Sequence, residues 1–294
     1  MTRFSTICFI NNYNNERFLA ECLNSVFLQT TPFDQVIVVD DGSTDSSISI
    51  LKQHQVTHPQ LEVLQKENGG QLSAFNFVAK AIPENSQVFL LDGDDVYPPD
   101  YLELVLKEFD DEPWDFAFCE RRDFHGPSDE ILKTARLSPE PSIFFEKTSA
   151  LTRSRHCWIG NVTSTISLSG AVFKKIFPYP NPISKTLWTD NLMIFAVSIL
   201  GFKKGFLASI AIGWRPHEGN DSKKVHSPSY LLEKKLAIEQ VFRFYCDQEN
   251  IPRYPGIAEF YGELNALPNS WRDNLRLPNH WLLLNRLIRN RYLR

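Results

Sequence analysis

The sequence predicts an α/β fold: a mostly parallel central sheet flanked by helices, with a helical extension at the C-terminal end. Three observations lead there. Short apolar runs alternate with segments of helical spacing as far as Glu120, the pattern of parallel strands joined by helices. Two of the runs, Val36–Val39 and Val88–Leu91, are apolar throughout, as strands buried on both faces are. Both stop at carboxylates, Asp40-Asp41 in one case and Asp92-Gly93-Asp94-Asp95 in the other. Open α/β sheets bind ligands beyond the carboxyl ends of their strands, so two acidic strand ends mark a site for a metal and a polar, phosphate-bearing molecule.

The elements follow in order. Thr6–Ile10 reads as the first strand. Glu16–Leu28 is a helix, with Leu19, Cys22, Leu23, Val26 and Phe27 on one face. Gln35–Asp40, Leu61–Gln65, Gln87–Leu91 and Asp115–Glu120 are further strands. Between them lie helices at Ser46–His54, at Gln71–Ala81 (stopped by Pro83) and at Pro99–Phe109, where proline at the first position and Asp100 in the first turn both favour a helix start. Residues 121–160 carry Pro127, Pro139 and Pro141 and read as a variable loop region, a lid or an acceptor-side insertion. Thr163–Leu168 reads as a strand, Gly170–Ile176 and Thr189–Leu200 as helices, and Phe206–Trp214 as extended chain. Composition shifts at Gly219–Pro228, and helices are expected at Tyr230–Gln248, Gly256–Asn265 and Asn279–Leu293. The division is thus 1–222 for the α/β domain and 223–294 for the helical extension.

The chain has 294 residues, enough for one large α/β domain and an appendage. A net charge of −4 gives no global pull toward nucleic acid. No stretch has the roughly 18 uninterrupted apolar residues of a membrane span, and Met1–Ser5 runs into the first strand without a signal-peptide pattern, so a cytoplasmic protein is expected. The five cysteines are scattered without metal spacing, and reduced, buried thiols are expected.

Tyr13, Asp40 and Asp92 each stand at or just past a predicted strand end, so one parallel sheet brings them to a shared edge. A carboxylate after the second strand suits hydrogen bonding to a base or ribose, and Tyr13 offers a ring for stacking on a base. The Asp92-x-Asp94 pair suits a hard divalent cation, magnesium or manganese, bridging two phosphates. A calcium loop is excluded, because it needs glycine at position six and glutamate at twelve. Counting from Asp41 gives Ser46 and Lys52, and counting from Asp92 gives Tyr97 and Glu103. Asp41, Ser43 and Asp45 are open between turn-forming and site roles, and Asp95 is open between a ligand and a structural acid. Trp158 and Trp188 are open between packing and stacking on a ligand ring.

Taken together, these segments resemble the family 2 glycosyltransferases, whose nucleotide-sugar domain has the GT-A fold; the resemblance runs from about Thr6 to Ser222. Asn12-Tyr13-Asn14 looks like the family's opening motif, with Asn11 where proline is usual. Asp40–Asp45 matches its second motif, and Asn68-Gly69-Gly70-Gln71 resembles the nucleotide-side turn and helix start, with Phe75 at a position where relatives carry a small residue or arginine. Asp92-Gly93-Asp94-Asp95 resembles the metal motif, Trp188-Thr189-Asp190 the later acidic motif, and Trp214–Asn220 the closing segment. The resemblance implies a nucleoside-diphosphate-sugar donor contacted by Asn12, Tyr13, Asp40, Asn68, Gln71, Asp92 and Gly93. It implies a manganese or magnesium ion on Asp92, Asp94 and His217, and Asp190 as the base of an inverting transfer to a sugar or lipid-linked acceptor in polysaccharide or glycolipid synthesis. Two other readings stay open at this point, a sugar-nucleotide nucleotidyltransferase and a non-catalytic nucleotide-sugar-binding module. The first lacks its usual glycine-rich basic loop, since Asn11–Asn15 follows the first strand.

From Asn274 onward the chain has five arginines and no acids, with Trp281, Leu284, Leu287 and Ile288 at helical spacing. A basic amphipathic helix of this kind, spanning 274–294, fits peripheral contact with the inner face of the cell membrane, packing on the catalytic domain, or a homo-oligomer contact.

Overall fold

The computed structural model describes residues 4–126, 133–137, 140–180, 186–220 and 225–274. The basic helix expected at Asn279–Leu293 and the boundary expected at 222/223 lie outside them. The α/β fold stands as the sequence predicts, with one eight-stranded sheet in the order β3-β2-β1-β4-β7-β5-β8-β6.

Strands β1 (Ser5–Asn12), β2 (Gln35–Asp40), β3 (Leu61–Gln65) and β4 (Ser86–Asp92) run parallel. They are joined by helices α1 (Leu19–Phe27), α2 (Ser47–Thr57) and α3 (Gln71–Val78). Successive residues of these strands enter opposite apolar layers. Ile7, Phe9, Ile37, Val39, Val88 and Leu90 lie in one layer, and Cys8, Ile10, Val36, Val38, Phe89 and Leu91 in the other. This explains the unbroken apolar runs: both faces of the sheet are covered. The register sets Asn12 beside Asp40 and Asn11 beside Asp92, so the second and fourth strands do end on one edge.

Beyond β4 the sheet is mixed. Helix α4 (Tyr101–Asp111) leads to β5 (Phe116–Asp123), which pairs parallel with β8 (Lys204–Trp214). Strand β7 (Ile166–Ser169) runs antiparallel between β4 and β5. The strand expected from Thr163 therefore begins later. Thr163–Thr165 forms a 3₁₀ turn that carries Ser164 beneath the acidic end of β4. The segment expected to be loop also holds β6 (Ile143–Phe145), antiparallel to β8, and α5 (Ser149–Arg155), whose apolar residues fill the core under the sheet.

Helix α6 (Gly170–Ile176) and helix α7 (Thr189–Ile199) follow β7, and every residue of α7 is buried. A helix apolar all round must be covered all round, and α8 (Pro228–Gln248) supplies the outer cover. Val241, Phe242 and Tyr245 of α8, with Phe260 and Leu264 of α9 (Ile257–Ala266), belong to the same apolar layer as Phe9 and Leu90. A short α10 (Asn269–Asn274) follows, where Trp271 packs on Phe145 and Phe206. Buried Arg153 of α5 pairs with Glu259 and donates to the Pro252 carbonyl, while Glu263 accepts from the Leu151 N–H at 3.0 Å. The described helices after Gly219 thus share the sheet's core.

All five cysteines are free and buried. No helix among the described residues is long and apolar enough to cross a membrane.

Candidate active site

The carboxyl ends of β1, β2 and β4 open into a cavity of about 660 Å³. Its wall includes Tyr13, Asn68, Gln71, Asp92, Asp94, Asp190 and His217, residues from widely separated parts of the chain. Asn12, Asp40 and Gly93 are not in that wall.

The acidic floor is built by a tight turn after β4. Gly93 N–H donates to the Asn11 carbonyl and Asp95 N–H to the Asp92 carbonyl, each at 3.0 Å. Glycine at 93 leaves room for two amides, since a Cβ there would stand 2.8 Å from Asn12 Oδ1 and 3.0 Å from Asn15 Nδ2 and would have to displace them. Asp92 accepts from Gln71 Nε2 at 2.8 Å. Burial, with Asp94 and Asp190 nearby, pushes its carboxyl well above the usual carboxylate range. Asp94 Oδ2 lies 2.7 Å from His217 Nε2. The His217 Nδ1 accepts from Gly219 N–H at 3.1 Å, and Asn220 Nδ2 lies 3.1 Å from Nε2.

Asp95 also borders the cavity, but its oxygens are engaged inside the protein. One accepts from Ser164 Oγ at 2.5 Å and the other from Arg215 N–H at 2.9 Å. Burial is the first cause of its raised pKa, with Asp94 and Asp92 adding repulsion. The Ser164 oxygen also accepts the Asp92 N–H at 3.1 Å. Arg215 completes this scaffold. Its Nε donates to the Asp94 carbonyl at 3.0 Å, its guanidinium pairs with Glu21 of α1, and the rings of Phe18 and Phe124 cover it at 4.8 and 4.3 Å. Sequence reasoning missed Ser164 and Arg215 as supports; the arginine lay in a motif already singled out, whereas nothing local marked the serine.

Asp40 and Asp41 divide their work, where the sequence led to the expectation of a donor contact for Asp40 and left Asp41 open. Asp40 accepts from Asn12 Nδ2 at 2.8 Å, Ser43 Oγ at 2.6 Å and Ser43 N–H at 2.9 Å, and so ties β1 to the turn after β2. Asp41 is the one in the cavity wall. It accepts from Lys66 Nζ at 2.5 Å, Gly69 N–H at 3.0 Å and Gly70 N–H at 2.7 Å, and so folds the Asn68–Gly70 turn. Gly42 makes the approach of that turn possible: its φ is +76°, and a Cβ would meet Asn68 N at 2.7 Å. Tyr13 is 46% exposed at the rim.

Asp190 stands at the first turn of α7, buried, in the same cavity wall, near enough to Asp92 to add to its raised pKa. Its Oδ1 accepts from Asn191 N–H at 2.6 Å. Burial pushes its pKa up to about 6, against the hydrogen bond from Asn191 and the charge of Lys234. That value suits a group that takes a proton near neutral pH.

The acidic end has the chemistry of a divalent-cation site. Two carboxylates and an imidazole are hard and intermediate donors of the kind manganese and magnesium accept, and the repulsion from Asp94 and Asp190, which adds to burial in raising Asp92, is one that a cation relieves. Among the described residues no three acidic, histidine or cysteine groups already stand as a ligand cage. An ion there would therefore be held by Asp92, Asp94 and His217 only together with oxygens supplied by a bound ligand.

Comparison with known proteins agrees with this geometry. The model of the family described as glycosyl transferase family 2 matches residues 8–169, more than half of the chain. The chain belongs to that family, which sets aside the nucleotidyltransferase reading. It is 28% identical over 227 residues to an uncharacterized glycosyltransferase of Nostoc, covering 77% of this chain and 69% of that one. Over 101 residues, 34% of this chain, it is 36% identical to the chondroitin synthase of Escherichia coli, of whose length the match spans 15%. Among solved structures it is similar to Staphylococcus aureus TarS in complex with UDP-GlcNAc, with a TM-score of 0.62 at 20% identity, over 93% of this chain and 76% of that one. It is also similar to a Pyrobaculum calidifontis mannosyltransferase in complex with GDP-Man and Mn²⁺, with a TM-score of 0.54 at 17% identity, over 98% and 81% of the two chains. These two likenesses give the GT-A fold.

Proposed function

We propose that this protein is a metal-dependent, inverting glycosyltransferase that moves a sugar from a nucleoside-diphosphate-sugar donor to an acceptor hydroxyl. One observation carries the reading: a single cavity holds a crowded acidic end, Asp92, Asp94 and His217, and a separate buried carboxyl, Asp190, whose pKa lies near 6.

Each part has a task. Tyr13 at the rim offers a ring to the base, and the Asn68–Gly70 turn held by Asp41 lies along the nucleotide. Asp92, Asp94 and His217 would hold the cation, whose chemistry there is to neutralise charge on the departing diphosphate. Gln71 fixes the Asp92 carboxylate. Asp190 takes the proton of the acceptor hydroxyl on its Oδ2, since Oδ1 is committed to the Asn191 N–H. A base so placed contributes ~10²–10⁴-fold in rate. Attack from the Asp190 side, opposite the diphosphate, inverts the anomeric centre. The polysaccharide or glycolipid setting, at the cytoplasmic face of a membrane with the basic 274–294 stretch as a peripheral contact, is supported by the family and by the arginines of that stretch.

The test is a thermal-shift panel of nucleoside diphosphates with and without Mn²⁺, followed by release of the selected diphosphate from its sugar conjugates. Ligands that bind only the folded state raise its stability. A selective, Mn²⁺-dependent shift is expected, and the absence of any shift across the panel would refute the proposal.

A further inference from the structure

Two tryptophans stand in the cavity wall, Trp188 beside α7 and Trp214 at the end of β8. Both lie beyond the stretch matched by the family model. Trp188 is two residues before Asp190, and Trp214 is three before His217.

Each indole is held in place. Trp188 Nε1 donates to the hydroxyl of Tyr230 on α8 at 3.1 Å, and the Lys234 ammonium, one helical turn on, lies 3.1 Å from its ring centroid. His226 stacks on Tyr230 with ring centroids 3.9 Å apart and planes 8° from parallel, so the support is itself backed. The Arg121 guanidinium lies 4.1 Å from the Trp214 ring centroid. Neither Lys234 nor Arg121 is part of the cavity wall, whereas both indoles are. Trp158, the other tryptophan with a sequence case for stacking, is 41% exposed and outside the wall.

The rest of this wall is mostly carboxylates, amides and glycines. Two fixed indoles among them offer flat apolar surface where the chemistry of the donor end does not need it. A pyranose ring matches such a surface, because one face presents C–H groups to an aromatic ring while its hydroxyls point to polar neighbours. A serine side chain or a short polyol has no such face.

We propose that Trp188 and Trp214 form the acceptor subsite and that the acceptor is itself a carbohydrate, with Tyr230, Lys234 and Arg121 positioning the two rings. The proposal rests on the glycosyltransferase reading above. In the transfer, the acceptor hydroxyl gives its proton to Asp190 and its oxygen bonds to the anomeric carbon. The bond from that carbon to the diphosphate oxygen breaks, and the electron pair leaves with the nucleoside diphosphate.

The experiment compares the full chain with its Trp188→Ala, Trp214→Ala, Trp188→Phe and Tyr230→Phe variants. Acceptor probes are disaccharides containing glucose, galactose, mannose or hexuronic acid, set against glycerol and a serine-containing peptide. The expected result is transfer to a disaccharide only, with acceptor KM raised about tenfold or more by either alanine. Trp188→Phe should recover part of that loss, and Tyr230→Phe should show a smaller KM effect. The Mn²⁺–nucleoside diphosphate thermal shift should persist in every variant, which also reports folding. Wild-type acceptor KM in both alanine variants, or equal transfer to glycerol or peptide, would overturn the proposal. Loss of the nucleotide shift in a folded alanine variant would also overturn it by placing the tryptophans on the donor side. If the unaltered protein neither shifts nor releases diphosphate, the glycosyltransferase reading itself fails and the subsite falls with it.

Discussion

Replacing Asp190 by Asn should make the protein more stable while nearly stopping transfer. The change keeps shape and leaves an oxygen to accept the Asn191 N–H, now at 2.6 Å. What it removes is a charge held in a buried place. The Asp190 pKa rises from 3.8 to about 6 on folding, with burial as the first cause. At about 1.4 kcal/mol for each factor of ten, that rise is a penalty of about 3 kcal/mol on the folded, ionised protein. The sign follows from proton binding. The folded state holds this proton more tightly than the unfolded chain, so the penalty is absent below the unfolded pKa, grows between the two values, and is complete above about 6. Urea unfolding of Asp190→Asn should therefore show a gain of about 3 kcal/mol at pH 8, shrinking to about 1 kcal/mol at pH 4.5. Turnover should drop by ~10²–10⁴-fold, with the nucleoside diphosphate shift retained. A variant no more stable than its parent at pH 8, or a gain that does not shrink with acidity, would refute the electrostatic reasoning. Unchanged turnover would refute the assignment of the base.

The same carboxyl sets the acid limb of activity: kcat/KM should fall about tenfold per pH unit below about pH 6, and a flat profile down to pH 5 would exclude Asp190 as the titrating base. Gly93→Ala forces a Cβ to within 2.8 Å of Asn12 Oδ1, so unfolding experiments should show a loss of about 1–3 kcal/mol, and Mn²⁺ titration should show weaker binding. Arg215→Met keeps most of the side-chain volume but frees the Asp94 carbonyl and Glu21; Mn²⁺ affinity measured by spin resonance in the presence of nucleoside diphosphate should fall about 10–100-fold, as for other groups that orient metal ligands. Ser164→Ala removes the hydroxyl shared by Asp95 and the Asp92 N–H, and chemical denaturation should register a loss of about 1–3 kcal/mol.

The first half of the fold was legible because its strands are buried on both faces. An unbroken run such as Val36–Val39 has few other readings, and the carboxylates that end it mark the sheet edge. Legibility declined after β5 for a physical reason. Strands β6 and β7 are three and four residues long, too short to show a period, and their pairing is antiparallel within a sheet that had read as parallel. Helix α5 also resisted, because Ser149, Thr152 and Arg153 are buried by tertiary partners that no local pattern announces. Helix α7 was found from its apolar content, but only α8 lying over it accounts for an apolar surface on every side.

The division between Asp40 and Asp41 shows where reading a site from sequence stops. Adjacent residues at the end of a strand point to opposite sides, and only one can face the cavity. The alternation itself was visible, but which parity faced the ligand depended on how the chain turned after the strand. That turn depends on Gly42 at φ +76° and on the backbone of Asn68–Gly70, which arrives from a separate loop. Asp40 therefore ended among Asn12 and Ser43, binding strand to strand, and Asp41 took the cavity side with four donors from the Lys66–Gly70 segment. A motif of two acids and a glycine thus specifies one support and one wall residue, and assigning them required the partners that long-range folding brings in.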